Sequence, residues 1–222
     1  MTGICAEAIT EQLAASLAAS RRGEAPFPHW LLDAPFTGEV ARELAGLPFV
    51  APAIDDTQGR RETHNSSRQF FDRDRQQSDA ICRAVAEALQ SSATVGALAR
   101  ATGADLDGAS LRIEYCLDTE GFWLEPHTDI GAKRFTMLVY LSDGPGAEDW
   151  GTDLYRPDGS HFARVPGRFD TGLVFVPSSS SWHGFERRPM AGVRRSIIVN
   201  YVGPEWRARH ELAFPDRPVR AA

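Results

Sequence analysis

The stretch Phe122–Asp143, F-W-L-E-P-H-T-D-I-G-A-K-R-F-T-M-L-V-Y-L-S-D, decides how the second half of the chain reads. It holds two β-rich runs, Phe122–Asp129 and Arg134–Leu141, around a short connection containing Gly131. Pro126 favours an extended backbone at the residue before it, Glu125. In a strand, residues i and i+2 point to the same face, so His127 and Asp129 project side by side. Alone, a His-x-Asp pair is close to a chance event in a chain with six histidines. Its meaning depends on what the rest of the chain brings beside it.

Runs of the same kind recur outward from this stretch: Leu111–Cys116, Thr152–Tyr155, His161–Val165, Leu173–Val176, Ser181–Phe185 and Arg194–Val202. They are spaced about 8 to 12 residues apart with Gly, Pro, Asp or Ser between them, the spacing of an all-β sandwich or barrel. About eight strands with long connections suggest a double-stranded β-helix, a jelly roll of the cupin type. No internal repeat is visible, which argues against a propeller or solenoid. The expected fold is therefore mainly β, of α+β character, in a single domain spanning 1–222. Its jelly-roll core covers 106–202 and a C-terminal tail covers 203–222.

The first 105 residues read as mainly helical support. Ala6–Arg21 carries Ile9, Leu13 and Leu17 near helical spacing and ends at Gly23. Thr37–Leu47 has an N-cap residue at Thr37 and stops at Leu47-Pro48. Asp79–Leu98 is amphipathic, with Ile81, Val85, Ala88 and Leu89 on one face. Phe27–Leu32 reads as a short strand. The polar run Ile54–Asp79 is either a solvated loop or a lid over a polar substrate, with Arg68 and Phe70-Phe71 as its contacts.

At 222 residues, 42% hydrophobic and 24% charged, the chain can bury one sizeable core. A net charge of -6, with Lys and Arg only in short doublets, argues against nucleic acid or an anionic membrane as partner and favours a small ligand. The N-terminus lacks a basic segment followed by an apolar run, and no stretch approaches the roughly 18 apolar residues of a membrane span, so a cytoplasmic protein is expected. Cys5, Cys82 and Cys116 are odd in number and widely spaced, which suggests free thiols rather than a disulfide framework.

A histidine and a carboxylate from one strand leave one facial position, which non-haem iron sites fill with a second histidine. His183, in V-P-S-S-S-S-W-H-G-F (Val176–Phe185), begins the seventh run, and in a jelly roll that strand lies beside the second. His29 and His64 lie in the helical part, His210 in the tail, and His161 is followed by no comparable site. Arg194-Arg195-Ser196 opens the last run, with Arg194 and Ser196 on one face and Arg195 on the other. A buried arginine needs an anion, and its planar fork suits a carboxylate.

In this order and at these separations, His127-x-Asp129, His183 and Arg194-x-Ser196 resemble the iron(II)/2-oxoglutarate-dependent dioxygenases. F-T-M-L-V-Y-L-S-D (Phe135–Asp143) and T-G-L-V-F-V-P (Thr171–Pro177) ahead of W-H-G-F resemble their prolyl-4-hydroxylase-like branch, over roughly residues 111–202. The resemblance implies that His127, Asp129 and His183 hold Fe(II) and that 2-oxoglutarate chelates it. Arg194 would pair with the far carboxylate of the co-substrate, Ser196 would hydrogen-bond it, and Tyr115 would stand nearby. Dioxygen would be consumed, with succinate and CO2 released, ascorbate stimulating turnover and a substrate C–H hydroxylated.

The chain departs from the branch at Trp150–Tyr155, W-G-T-D-L-Y, where a Gly-Gly-Glu-Thr turn is usual. This argues against a peptidyl-proline substrate. Arg194 stands where the prolyl hydroxylases use lysine, and the presence of Asp129 favours hydroxylation over halogenation. The substrate expected is a small polar molecule, such as an amino acid or a biosynthetic intermediate, with a protein or peptide residue as the alternative. A non-catalytic cupin-like metal- or ligand-binding module is disfavoured by Arg194-x-Ser196. Arg68, Arg134 and Trp123 are the expected substrate contacts. Arg112 and Glu114, opposite in face to Tyr115, are expected to pair with the helical layer.

Overall fold

Alternation of side chains along the strands determines which residues meet the helices and which line a cavity. The structure, a computed structural model, describes residues 5–129 and 131–221, with His64 described by its backbone only. Met1 to Ile4, part of the N-terminus read above for a leader, lie outside the described residues. In chain order the elements begin with α1 (Ala6–Ala18), β1 (Arg21–Gly23), β2 (His29–Asp33), α2 (Gly38–Ala45) and β3 (Arg68–Phe70). They continue with α3 (Arg73–Ser78), α4 (Ala80–Gln90), α5 (Ser92–Thr102), β4 (Ser110–Asp118), β5 (Leu124–His127) and β6 (Lys133–Tyr140). The last are β7 (Asp153–Tyr155), β8 (His161–Arg164), β9 (Thr171–Phe175), β10 (His183–Phe185) and β11 (Arg194–Val202).

The strands form two antiparallel sheets, a seven-stranded one in the order β1-β2-β9-β6-β11-β4-β3 and a four-stranded one in the order β5-β10-β7-β8. The eight runs read from Leu111 onward lie at β4 to β11. The fold is thus mostly β with some helices, and consistent with a jelly-roll-like arrangement. One face of the large sheet, with Ile113, Tyr115, Leu117, Val139, Ile197, Val199 and Tyr201, packs in a single core with Ile9, Leu13, Val85 and Leu89 of the helices. The other face contributes Leu138, Tyr140, Leu173 and Phe175 to a smaller cluster with Leu154 and Val165 of the small sheet.

Three boundaries differ from the sequence reading. The first helix stops at Ala18, and Arg21–Gly23 instead pairs with His29–Leu31 as an edge strand. Asp79–Leu98 is two helices, because Ser91 adopts an extended backbone (φ -63, ψ 142) and its Oγ accepts from Thr94 N at 3.2 Å, capping a new N-terminus. The polar run 54–79 is ordered: it contains a 3-10 turn at Arg61–Ser67, β3 and α3. The stretch after β11 returns to the sheet, with Ala213 N bonded to Leu111 O at 2.9 Å and Val219 N to Ala109 O at 2.8 Å. No helix among the described residues is long and apolar enough to cross a membrane.

Candidate metal centre and its cavity

β10 pairs with β5, and the register sets His183 opposite His127. Their ring centroids are 4.4 Å apart. His127 Nδ1 lies 2.8 Å from Glu125 O, and His183 Nδ1 lies 3.0 Å from Ser181 O. A carbonyl can only accept, so each Nδ1 carries a proton, which leaves Nε2 as the ring nitrogen available to a metal. Asp129, just beyond β5, brings its Oδ2 to 3.9 Å from His183 Nε2. The three ligand atoms all lie within 4.8 Å of one another. Two imidazoles and one carboxylate on one side form a donor set suited to a first-row divalent metal.

The protonation states agree with that chemistry. Burial disfavours the charged form of Asp129, but the Lys133 ammonium, with its Nζ 2.7 Å from Oδ1, and then His183 outweigh it. The carboxyl is held well below the usual carboxylate range. Burial pushes His183 down to about 4, against the pull of Asp129, so its imidazole is neutral at pH 7. A second grouping, Asp153, His161 and Glu186, also comes together. Its buried carboxylate is already engaged: Arg164 and Arg188 bond Asp153, and Glu186 N donates to it at 2.7 Å.

The triad opens onto a cavity of about 530 Å³. Its floor is the inner face of the large sheet, where cross-strand register sets Arg194 opposite Asp118, Ile198 opposite Glu114 and Asn200 opposite Arg112. Arg194 is buried, with Nη1 2.6 Å from Asp118 Oδ2 and Nε donating to Trp150 O at 2.6 Å. Ser196 shares its face and is fully buried, and its Oγ has no hydrogen-bond partner among the described residues. An orphaned hydroxyl two residues from a buried guanidinium fits the distal carboxylate of a dicarboxylate co-substrate. The anion that the sequence reading left for a ligand to supply is partly internal, since Asp118 serves Arg194 and also takes a two-pronged bond from Arg61 at 2.7 and 3.2 Å.

Two expectations about faces are corrected. Tyr115 points into the helical layer, fully buried, and donates to Leu44 O at 3.0 Å. Arg112 and Glu114 line the cavity instead. The strand alternation was right, but the face assigned to it was reversed. Of the expected substrate contacts, Arg68 lines the cavity, with Nε 2.8 Å from Glu114 Oε1. Arg134 turns away to Asp107 O at 3.1 Å, and Trp123 donates to Asp56 at 2.6 Å; neither lines the cavity.

Arg61 and Asp118 were not singled out by sequence, and Arg112 and Glu114 were assigned to the opposite face. Charged residues at three positions on one face of β4 (Arg112, Glu114 and Asp118) are the signal that could have found most of them, because a strand face packed on apolar helices would not place charges there. Glu114 stays ionised: burial opposes the charge, but Arg112, Arg68 and Arg61 hold its carboxyl far below the usual range.

No protein-family model matches the sequence, and neither does any curated protein. Solved structures do match in fold. A Pseudomonas putida prolyl-4-hydroxylase aligns at 18% identity and TM-score 0.56, over 86% of this chain and 93% of that one. A prolyl 4-hydroxylase from Phytophthora capsici aligns at 15% identity and TM-score 0.61, over 92% and 68%. HygX from Streptomyces hygroscopicus, solved with nickel and 2-oxoglutarate bound, aligns at 14% identity and TM-score 0.50, over 81% and 84%. With its paired sheets and helical brace, the chain has the fold of the prolyl 4-hydroxylases, the branch that its sequence pattern resembles.

Proposed function

We propose that the chain is an iron(II)/2-oxoglutarate-dependent oxygenase that hydroxylates a small polar molecule, with 2-oxoglutarate converted to succinate and CO2. The observation that carries this reading is the convergence of His127, Asp129 and His183 in a cavity that also holds Arg194, with the orphaned Ser196 hydroxyl beside it. The eight strands β4 to β11, divided four and four between the two sheets, support a double-stranded β-helix as the scaffold.

His127, Asp129 and His183 would hold iron(II), which when bound supplies the activation of dioxygen and the oxidative decarboxylation of the co-substrate. The chain supplies binding, orientation and exclusion of water. Arg194 pairs with the distal carboxylate, and Ser196 donates its free proton to it. Phe122, Leu138, Phe185 and Ile198 give the cavity apolar walls. The 3-10 turn at Arg61–Ser67 and the edge strand β3 cover it, held by the Arg61–Asp118 and Arg68–Glu114 ion pairs. A cover tied down this closely suits a small substrate better than an extended peptide.

Purified protein given Fe(II), ascorbate, oxygen and 2-oxoglutarate should release succinate slowly without its substrate, and faster when a metabolite screen supplies that substrate. Asp129→Ala should reduce both rates to background. Absence of succinate from the wild type in all conditions sinks the reading.

A further inference from the structure

A row of three polar side chains reaches Asp129 from across the large sheet, and only one direction of hydrogen bonding is open to it. Arg112, Asn200 and Thr136 lie directly opposite one another on β4, β11 and β6. They are 2%, 0% and 1% exposed, so bulk water does not compete for their contacts. The Arg112 guanidinium sits 4.9 Å from the Phe70 ring and 5.1 Å from that of Trp206, and pairs with Glu211 and Glu114 at 2.6 Å each. Its Nη1 donates to Asn200 Oδ1 at 3.1 Å.

A guanidinium cannot accept, so Asn200 must present its oxygen to Arg112 and its amide nitrogen to the other side. There Nδ2 donates to Thr136 Oγ1 at 3.0 Å. That bond occupies an acceptor position of the hydroxyl, and its single proton is left for Asp129 Oδ2, also at 3.0 Å. The charge on Arg112 thus sets the direction of every bond up to the carboxylate of the triad.

We infer that Asn200 and Thr136 are positioning residues for the carboxylate ligand of the metal centre, oriented by Arg112. The inference rests on the metal reading of His127, Asp129 and His183 and deepens it. Metal affinity then depends on Asn200, a side chain that touches no ligand, and Glu211 in the chain after β11 is tied to the centre through Arg112. Partners of this kind fix the rotamer of a ligating carboxylate, and losing one typically costs about 10- to 100-fold in metal affinity.

The test is a Co(II) titration of the full chain followed by the visible absorption of the bound ion, with thermal unfolding to confirm that each variant is folded. Thr136→Val keeps the side-chain shape and removes the proton; it should weaken Co(II) binding by about 10- to 100-fold. Thr136→Ser should restore it. Asn200→Asp separates the inference from simple electrostatics. An added negative charge acting through space would tighten binding of a cation. In the relay, the new carboxylate accepts from both Arg112 and Thr136, the threonine proton turns away from Asp129, and binding loosens to the level of Thr136→Val. The double variant should be no weaker than either single one.

Co(II) held as tightly by Thr136→Val as by the wild type, or more tightly by Asn200→Asp, overturns the inference while leaving the metal reading in place. If Thr136→Val does not fold, Asn200→Asp decides. A wild type that shows no Co(II) band sensitive to His127→Ala overturns the metal reading itself, and the inference with it.

Discussion

Arg194 is buried, with its Nε committed to the Trp150 carbonyl and its Nη1 to Asp118. Burying a guanidinium without an anion costs several kcal/mol, so Asp118 stabilises the cation before any co-substrate arrives. A guanidinium has five N–H donors, so on the proposed reading Arg194 keeps donors that, with the Ser196 hydroxyl, would bind the distal carboxylate of the co-substrate. Arg195, on the other face of β11, points away from the cavity, with its Nε lacking a hydrogen-bond partner among the described residues. Arg194→Ala should therefore weaken 2-oxoglutarate binding by about 10-fold or more, the worth of one charge-assisted hydrogen bond. Arg195→Ala should leave it nearly unchanged, as measured by calorimetric titration of each metal-loaded variant. Reversed effects would mean that the co-substrate enters from the helical side.

The segment from Ile54 to β3 is held over the cavity largely by ion pairs and backbone bonds. Arg61 stacks 4.4 Å from the Phe122 ring and bonds Asp118, Arg68 bonds Glu114, and Glu125 N donates to Gly59 O at 3.0 Å. A cover held by charges over a cavity can release as a unit when one pair is lost. Arg61→Gln should raise amide exchange across residues 57–67 by about 10-fold or more, from the loss of a charge-assisted pair, while β6 and β11 keep their protection. Exchange unchanged in that segment would show that its backbone contacts alone keep it closed. In the helical layer, by contrast, apolar contacts dominate, and Ser91 only divides α4 from α5 so that both can reach the same core.

At the scale of the whole molecule, Asp170 joins the β2–α2 connection to the start of β9. Its backbone oxygen accepts from Ala34 N at 2.9 Å and its Oδ1 from Phe36 N at 3.3 Å. Burial pushes its carboxyl up to about 7, only partly opposed by the Phe36 N–H. A carboxyl raised in the folded state favours the protonated fold. Its contribution to stability is thus fully present below the unfolded value near 4 and is lost as pH rises to about 7. Asp170→Asn keeps the acceptor for Phe36 and removes the charge. Relative to the wild type it should gain stability progressively from pH 4 to pH 7, by up to about 4 kcal/mol. Paired thermal unfolding curves at several pH values measure this, and a difference that stays flat across the window would refute it.

The sequence by itself determined the period of two from Leu111 to Val202, the positions of β4 to β11 and the nearness of His127 to Asp129, because these are local properties of the chain; that Asp129 lies just past the strand end was not legible. The helices of the first third were legible where apolar spacing and a capping residue coincide, as at Thr37, and misjudged where a polar residue inside an apolar run starts a new helix, as at Ser91. Which face of β4 meets the helices was not legible, because alternation carries parity but no direction; Tyr115 and Glu114 differ only in what the fold places opposite them. Only the tertiary structure decided that Asp118 pairs with Arg194, that Arg61 and Arg68 line the cavity, and that Arg112 bonds Asn200. The Arg194–Asp118, Arg61–Asp118 and Arg112–Asn200 bonds join residues at least 57 positions apart in the chain, and such pairings are properties of the assembled sheets rather than of any one strand.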